Sequence, residues 1–263
     1  MLVFLKLGGS LITEKSRPYT PRLKILNTQA MQIATAVKEN PDLRLIIGHG
    51  SGSFGHQAAK KYGTREGVSN EEGWHGFSEV WYQASALNRL VVEAIRNAGL
   101  STITLSAVSA VTAREGKITA WDLAPLITAL DKGLFPVIHG DVVFDLDRGG
   151  TILSTEDLFA HLACQLHPGR ILLAGMEAGV WEDFPTRTRL IKEITPQSFS
   201  KIILPLKSTS GADVTGGMEA KVTEMLELVK QIPSLEVLIF SGEEPDNTRR
   251  ALQGENPGTR LYC

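Results

Sequence analysis

The chain has 263 residues, 43% of them hydrophobic and 21% charged, and a formal net charge of −2. These values are typical of a soluble globular protein, and the lack of net positive charge argues against a general nucleic-acid binder. The apolar runs are too short to cross a membrane, and the amino terminus lacks a signal-peptide pattern. Two cysteines, Cys164 and Cys263, cannot form a disulfide framework or a zinc site by themselves. We therefore expect a cytoplasmic protein without a nucleic-acid or membrane partner.

The amino-terminal part of the chain begins with a short apolar strand. Val3 to Leu7 is the predicted strand, and it ends at Gly8-Gly9-Ser10. After a polar segment that carries Lys15, Thr20-Pro21 predicts the first turn of a helix that runs to about residue 38. The buried face of this helix is expected to consist of Ile25, Met31, Ile33, Ala34 and Val37.

The rest of the chain continues to alternate strands with helices. A second strand, Leu43 to Ile47, leads into the glycine-rich stretch Gly48 to His56. The other predicted elements up to residue 166 are a loop at 63–70, a helix at 74–98, a strand at 101–105, a hairpin at 110–120, a helix at 122–132, a strand at 135–139, a hairpin turning at 147–150, and a helix from a capping box at 154–157 to about 166. After them we expect a strand at 170–174, an irregular region with hairpin-like pieces at 175–205, a helix after the glycine loop 211–218 to about 230, and strands at 235–240 and 258–262.

This alternation predicts the fold class. Helices between strands, with glycine after several strands, favour an α/β fold in which a mainly parallel central sheet is covered on both faces, a three-layer αβα sandwich. No linker or repeat divides the chain, so we expect residues 1–263 to form one domain. In such folds, ligands bind beyond the carboxyl ends of the strands.

The first half of the chain carries the signs of a phosphate site. Glycines between Gly48 and His56 let backbone N–H groups approach an anion, and the helix expected after them adds positive potential. His56 stands where it can donate a hydrogen bond to that anion. Lys6 lies in a core strand, where its charge is costly unless it reaches an anion or a carboxylate.

The same glycines allow a second interpretation. Gly50, Gly52 and Gly55 have the spacing of a dinucleotide-binding fingerprint, and acidic residues at 71 and 72 follow at about the expected distance. An NAD-dependent oxidoreductase normally has this fingerprint after the first strand, whereas here it follows the second. That interpretation also leaves three lysines, at 6, 15 and 221, without a role.

The glycine and lysine motifs together resemble the amino-acid kinase superfamily over nearly the whole chain. The resembling motifs are Lys6-Leu7-Gly8-Gly9-Ser10, the Gly48–His56 loop, Gly140-Asp141-Val142-Val143, Asp157, and Asp213-Val214-Thr215-Gly216-Gly217-Met218 with Lys221. Within the superfamily, the His-Gly-x-Gly-Ser-Phe-Gly-His loop, Lys15 and the Asp-Val-Thr-Gly-Gly-Met loop resemble the isopentenyl phosphate kinase family in particular.

The resemblance implies an activity, its cofactors and an assembly. The chain would transfer the γ-phosphoryl group of ATP, accompanied by Mg²⁺, to the phosphate of isopentenyl phosphate in isoprenoid precursor synthesis. It implies an acceptor-binding lobe at about 1–165, an ATP-binding lobe at about 166–263, and a homodimer. Because the sequence has no carboxylate cluster for a metal cage, Mg²⁺ would be held by nucleotide phosphates and water.

The resemblance also implies roles for individual residues. Lys6 would bridge the transferring phosphoryl group, Lys15 would close over it, and His56 would bind the acceptor phosphate, which makes these three the expected catalytic residues. The expected ATP-binding residues are Lys6, Gly8, Gly9, Ser10, Ser51, Asp157, Gly216, Gly217 and Lys221, with Asp157 orienting the lysines. The expected acceptor-binding residues are Gly50, His56, Phe77, Val80, Trp81 and Gly140, the apolar ones supporting the hydrocarbon tail. His49 is expected to be structural.

Alternatives to isopentenyl phosphate remain open at this point. A kinase of the same fold could take another small acceptor, such as fosfomycin, a carboxylate or a carbamate, and a catalytically silent nucleotide-binding protein could retain the fold. The chain also departs from its relatives near the expected adenine site, where Gly175-Met176-Glu177-Ala178-Gly179-Val180-Trp181 lacks the two aspartates that many of them carry.

Overall fold

An eight-stranded sheet forms the middle layer of the molecule. The computed structural model describes residues 1–208 and 217–263. Its strands are β1 (Leu2–Leu7), β2 (Arg44–His49), β3 (Thr102–Thr104), β4 (Val111–Arg114), β5 (Lys117–Trp121), β6 (Phe135–His139), β7 (Asp141–Asp145), β8 (Gly149–Leu153), β9 (Arg170–Gly175), β10 (Val180–Trp181), β11 (Leu190–Ile191), β12 (Glu193–Ile194), β13 (Glu236–Ser241) and β14 (Thr259–Leu261). Its helices are α1 (Gly9–Ile12), α2 (Leu23–Glu39), α3 (Gly52–Tyr62), α4 (Glu71–Asn97), α5 (Ala107–Ala110), α6 (Ala124–Asp131), α7 (Thr155–Leu166), α8 (Pro196–Ser208), α9 (Gly217–Gln231) and α10 (Asn247–Leu252).

The strand order explains where a ligand can bind. The central sheet runs β12-β14-β13-β9-β1-β2-β6-β3, and of its paired strands only β13 and β14 are antiparallel in the described part of the chain. The hairpins predicted at 110–120 and around 147–150 form a second sheet of order β5-β4-β7-β8. Because β9, β1, β2 and β6 are neighbours and parallel, their carboxyl ends lie together at one edge.

Two apolar cores separate the sheet from its covering helices, so the predicted three-layer αβα sandwich is confirmed. Alternate residues of each strand face opposite layers: Phe4 and Ile46 join one core, whereas Leu5 and Ile47 join the other. Residues of α7 and α9 cover the first face, and residues of α2, α4 and α10 cover the second. Among the described residues, no helix has both the length and the apolar content that a membrane span requires.

The first long helix differs from its prediction in start and in face. It begins at Leu23, because Pro21 forms a β-bridge with Thr13 and closes the preceding segment into a loop. Met31 is 57% exposed and does not belong to the buried face. Gln29 is buried there instead, because it donates to the Gly242 carbonyl (2.6 Å) and accepts from the hydroxyl of Thr248. Hydrophobicity alone could not reveal a face that buries satisfied amides.

Four of the described helices were not predicted. Two of them have only four residues each, α1 after β1 and α5 before β4. The region from 175 to 205, expected to be irregular with hairpin-like pieces, contains the antiparallel pair β10–β11 and most of α8, and α10 follows β13. The capping box predicted at 154–157 is confirmed: the Asp157 amide donates to Ser154 Oγ (3.0 Å), and the Ser154 amide donates to the Asp157 carboxylate (2.7 Å).

Candidate functional site

Two glycine loops meet at the carboxyl edge of the sheet. The loop after β1 contains Gly9, and the loop after β2 contains Gly50 and Gly52. A Cβ atom on Gly9 would lie 2.5 Å from the backbone nitrogen of Gly52, and one on Gly50 would lie 2.9 Å from that of Gly9. Both distances are shorter than van der Waals contact. The two loops can therefore approach this closely only where these residues are glycine.

Unused backbone amides lie in these two loops. Within residues 1–208 and 217–263, the N–H groups of Gly9, Ser10, Ser51 and Gly52 donate to no protein atom. The last of these residues begins α3, whose amino terminus carries positive potential. Unpaired amides on two touching loops can bind an anion.

The glycines assigned to the acceptor phosphate use their amides differently. The Gly50 N–H donates to the Leu7 carbonyl (3.1 Å), and the Gly140 N–H donates to Thr155 Oγ1 (3.0 Å) and to the His49 carbonyl (3.3 Å). Both N–H groups are therefore engaged within the protein. These two glycines contribute the absence of a side chain rather than a free donor.

A buried ion pair adjoins the glycine loops. The Lys6 ammonium contacts the carboxylate of Glu156, and both side chains are largely buried. Burial raises the pKa of Glu156, but the positive charges of Lys6 and Lys221 outweigh this effect and hold the pKa below its ordinary value. The two lysines are thus brought to one carboxylate from β1 and α9.

Sequence reasoning missed Glu156 and selected its neighbour Asp157. The Asp157 carboxylate accepts hydrogen bonds from the amide and the hydroxyl of Ser154 (both 2.7 Å) and lies 3.9 Å from Arg65. Successive helix residues point about 100° apart, and the Asp157 carboxylate is held in the helix cap while that of Glu156 contacts Lys6. Among the described residues, Glu156 is the carboxylate that contacts Lys6. The only sign of it in the sequence was that Glu156 and Asp157 are adjacent in the first turn of α7.

Glu224, on α9, is a third carboxyl group close to Glu156 and Asp157. Burial, followed by the negative charges of Asp157 and Glu156, raises the pKa of Glu224 to about 7. The described residues nevertheless contain no group of three or more His, Cys, Asp or Glu side chains arranged to hold a metal ion. Two of the carboxylates here are already engaged, by Lys6 and by the Ser154 cap.

Lys15 is carried by an exposed loop with a fixed base. Thr13 Oγ1 donates to the Gly9 carbonyl (2.7 Å) and accepts from the Ser53 amide (2.9 Å), which ties the loop to α1 and α3. At the other end, Arg22 binds Glu243 (2.5 Å). Lys15 itself is exposed, and its charge contributes to lowering the pKa of Glu177.

The remaining residues assigned to phosphates lie in three places. His56 is exposed in the first turns of α3, and Ser51 precedes that helix as its N-cap. Gly8 directly follows β1, where its amide donates to the Ala174 carbonyl (2.8 Å). Gly217 begins α9 with φ +59°, and Gly216 lies outside the described residues.

The three residues expected to support the hydrocarbon tail of the acceptor do not form one surface. Phe77 and Val80 are buried in a small cluster with Val68 and Val142, between α4 and the hairpin β7–β8. Trp81 is 41% exposed, because it follows Val80 by one residue and points away from this cluster. The structure therefore does not bring Trp81 together with Phe77 and Val80.

Side chains rather than backbone shape the segment after β9. Glu177 accepts a hydrogen bond from Trp181 Nε1 (2.9 Å) and two from the guanidinium of Arg187 (2.9 and 2.7 Å). The Arg187 hydrogen bonds are the main reason that the pKa of Glu177 lies below its ordinary value. This is the segment that lacks the two aspartates.

The fold and the lysine-bearing glycine loops together define a class of protein. A model of the amino acid kinase family matches residues 1–241. The chain therefore belongs to the amino acid kinase family.

Within this family, the chain is similar to several isopentenyl phosphate kinases over almost its whole length. The isopentenyl phosphate kinase of Methanocaldococcus jannaschii is 32% identical over 270 residues, covering 99% of this chain and 98% of the relative. That of Haloferax volcanii is 33% identical over 261 residues, covering 98% and 97%. A solved structure described as "X-ray structures of isopentenyl phosphate kinase" matches this fold with a TM-score of 0.83 and 29% identity, covering 100% of both chains.

Proposed function

We propose that this chain transfers the γ-phosphoryl group of ATP to the phosphate of isopentenyl phosphate, yielding isopentenyl diphosphate and ADP. The observation that carries the proposal is the Lys6–Glu156 pair beside the two touching glycine loops. The named relatives, similar over almost their whole length, support the same activity.

The reaction brings two polyanions together, so charge neutralisation is its main demand. Two like unit charges 4 Å apart repel by about 4 kcal/mol at an effective dielectric constant of 20. Lys6, held by Glu156, bridges the transferring group, while Lys221 holds ATP phosphates and Lys15 closes over the reacting centre. Phosphoryl transfer needs no covalent enzyme intermediate, since positioning and electrostatic stabilisation suffice.

The two substrates occupy opposite sides of this centre in the proposal. The amides of Gly9, Ser10 and Ser51, with Gly8, Asp157, Gly216 and Gly217, belong to the ATP side, and residues from about 166 to 263 form the ATP-binding lobe. The acceptor lies in the lobe formed by residues 1 to about 165, with its phosphate near Gly50, His56 and Gly140. Its hydrocarbon tail belongs on the side of α4 that carries Phe77 and Val80, and Trp81, which points away from their cluster, is left out of the tail site.

The proposal also includes a metal ion, an assembly and a location. Mg²⁺ neutralises nucleotide charge, and it enters with ATP because the described side chains do not form a cage for it. We infer a homodimer and a cytoplasmic location, which rest on the family and on the composition of the chain.

The test is ADP release from ATP and Mg²⁺ with a panel of acceptors: isopentenyl phosphate, dimethylallyl phosphate, fosfomycin, N-acetylglutamate, carbamate and UMP. We expect turnover on the two isoprenoid phosphates. His56→Ala should abolish most of it, because the charge-assisted hydrogen bond to the acceptor phosphate is lost. His75→Ala, which removes an exposed histidine of α4, is the matched control.

Other outcomes of the panel would redirect the proposal. Turnover on a carboxylate or a carbamate alone would retain the kinase fold and remove the isoprenoid substrate. ATP binding without turnover on any acceptor would favour a silent nucleotide-binding protein, and NADH binding in place of ATP would favour an oxidoreductase.

A further inference from the structure

Two neighbouring strands end in the same dipeptide, His-Gly. β2 ends with His49 before Gly50, β6 ends with His139 before Gly140, and the parallel register pairs the two histidines. Their rings stack with centroids 5.1 Å apart and planes 2° from parallel. Neither side chain is more than 1% exposed. The stack, called here the histidine pair, therefore lies inside the protein at the edge where the glycine loops begin.

Only one ring of the histidine pair has hydrogen-bond partners for its nitrogen atoms among the described residues. His49 Nδ1 lies 3.2 Å from the Gly50 carbonyl oxygen, and its Nε2 lies 3.2 Å from Asn88 Oδ1 on α4. His139 Nε2 lies 3.4 Å from Asp141 Oδ2 without forming an aligned hydrogen bond, and neither of its nitrogens has a hydrogen-bond partner among the described residues. Buried polar atoms without partners cost stability, so an apolar pair would pack here at lower cost.

The charge state excludes an acid–base role for His49. Burial, followed by the proximity of His139, lowers the pKa of His49 to about 3. The ring is therefore neutral at physiological pH. It can neither attract the acceptor phosphate by its charge nor deliver a proton near neutrality.

His49 instead connects three elements around the glycine loop. Its backbone carbonyl accepts from Thr155 Oγ1 of α7 (2.6 Å) and from the Gly140 amide after β6 (3.3 Å). Its ring contacts β6 through His139 and α4 through Asn88. The residue that follows each histidine of the pair is a glycine assigned to the acceptor phosphate, Gly50 after His49 and Gly140 after His139.

We propose that the histidine pair is a positioning element for the acceptor phosphate: the flat stack sets the direction in which the chain leaves β2 and β6, and thereby the placement of Gly50 and Gly140, the two glycines assigned to that phosphate. This inference rests on the proposed phosphoryl transfer. A displacement of about 1 Å in a catalytic geometry can cost roughly 100-fold in rate, so fixing two strand ends against each other has a direct catalytic value.

The experiment compares three variants by steady-state kinetics. His139→Leu removes the flat ring while keeping an apolar side chain, whereas His139→Phe retains a ring that can stack on His49. His161→Leu is the matched control, since it removes another stacked histidine, on Trp121 (5.9 Å between centroids), away from the glycine loops. KM for both substrates, kcat and the melting temperature are measured for each.

We expect His139→Leu to raise KM for isopentenyl phosphate about tenfold or more while changing KM for ATP less than twofold. His139→Phe should restore most of the loss, and His161→Leu should change neither KM. Equal acceptor KM values in wild type, His139→Leu and His139→Phe would overturn the proposal, and so would a parallel rise of both KM values. Either result would mean that the pair only fills the core.

Two provisions keep the test decisive. Where His139→Leu does not fold, Asn88→Ala removes the α4 contact of the His49 ring, and an unchanged acceptor KM in that variant would equally overturn the proposal. Wild-type turnover is measured first on the acceptor panel. If isopentenyl phosphate is not used, the proposed function fails, and the same variants are compared on whichever phosphate acceptor the wild type accepts.

Discussion

The two glycine loops and the segment from Gly175 to Arg189 follow neighbouring strands at one edge of the sheet, yet different kinds of contact hold them in place. In the loops, backbone contacts backbone: a Cβ atom on Gly9 would lie 2.5 Å from the Gly52 nitrogen. In the later segment, partly exposed side chains also make contacts, as between Glu177 and Arg187, and a Cβ atom on Gly175 would meet nothing within 4 Å.

This difference shows where the sequence is free to vary. A backbone–backbone approach admits no side chain, so the residue type is imposed. A surface made of side-chain pairs can be rebuilt from other pairs at little cost, because exposed ion pairs contribute about 0–1 kcal/mol. The chain accordingly keeps the family pattern in both glycine loops and departs from it at 175–181, where both aspartates are replaced.

The largest expected difference between the two regions appears when one glycine of each is replaced by alanine. Gly9→Ala should lower the free energy of unfolding by roughly 3 kcal/mol and kcat/KM about 100-fold, because the two loops must separate. Gly175→Ala should change stability by less than about 0.5 kcal/mol. Denaturant unfolding and ADP release measure both quantities. Equal effects of the two variants would contradict the distinction between the regions.

A smaller effect is expected from the two adjacent carboxylates of α7. Glu156→Gln should lower kcat about tenfold and stability by about 1–2 kcal/mol, because Lys6 loses a buried charged partner. Asp157→Asn should mainly weaken the helix cap, costing about 1 kcal/mol with a smaller loss of kcat. Stability is measured by thermal unfolding and activity by ADP release. A greater loss of kcat in Asp157→Asn would return the lysine-orienting role to that residue.

The smallest effect is an opposite dependence of stability on pH for two carboxyl groups, Glu224 near the Lys6–Glu156 pair and Glu177 in the segment after β9. The pKa of Glu224 rises from an ordinary value of 4.5 to about 7, so the stability it contributes is present below pH 4.5 and lost as pH rises through 7. Glu224→Gln should therefore leave stability unchanged at pH 4 and increase it by about 1 kcal/mol at pH 8, after allowance for solvent screening.

Glu177 should behave in the opposite way. Its lowered pKa contributes stability above pH 4.5 that is lost as pH falls through the folded-state value. Glu177→Gln should thus reduce stability at pH 8 and leave it unchanged at low pH. Melting temperatures of both variants and wild type at pH 4, 6 and 8 give the comparison. Curves that shift in the same direction would mean that the two carboxyls do not have opposite pKa shifts.

The contrast between the regions also explains which site residues the sequence could reveal. Glycine and lysine motifs report backbone geometry and phosphate charge, so Lys6 and Gly9 could be proposed from residue type and position, whereas Lys221 was proposed from the resemblance to the kinase family. Glu156 could not be distinguished from Asp157, because the choice depends on which face of α7 points at Lys6. Trp81 was grouped with Phe77 and Val80 by its apolar character, whereas the rotation of α4 leaves it outside their cluster.

The sequence by itself determined the α/β class, the mainly parallel sheet, both hairpins and the capping box of α7. Each of these follows from local patterns: alternation of apolar residues, turn residues and capping residues act over a few positions of the chain. The start of α2, the satisfied glutamine on its buried face, the partner of Lys6 and the stacking of His49 on His139 were decided only by tertiary structure. Each of them depends on contacts that reach beyond the few positions of a local pattern, and the energy of such contacts exists only once the fold has brought the residues together.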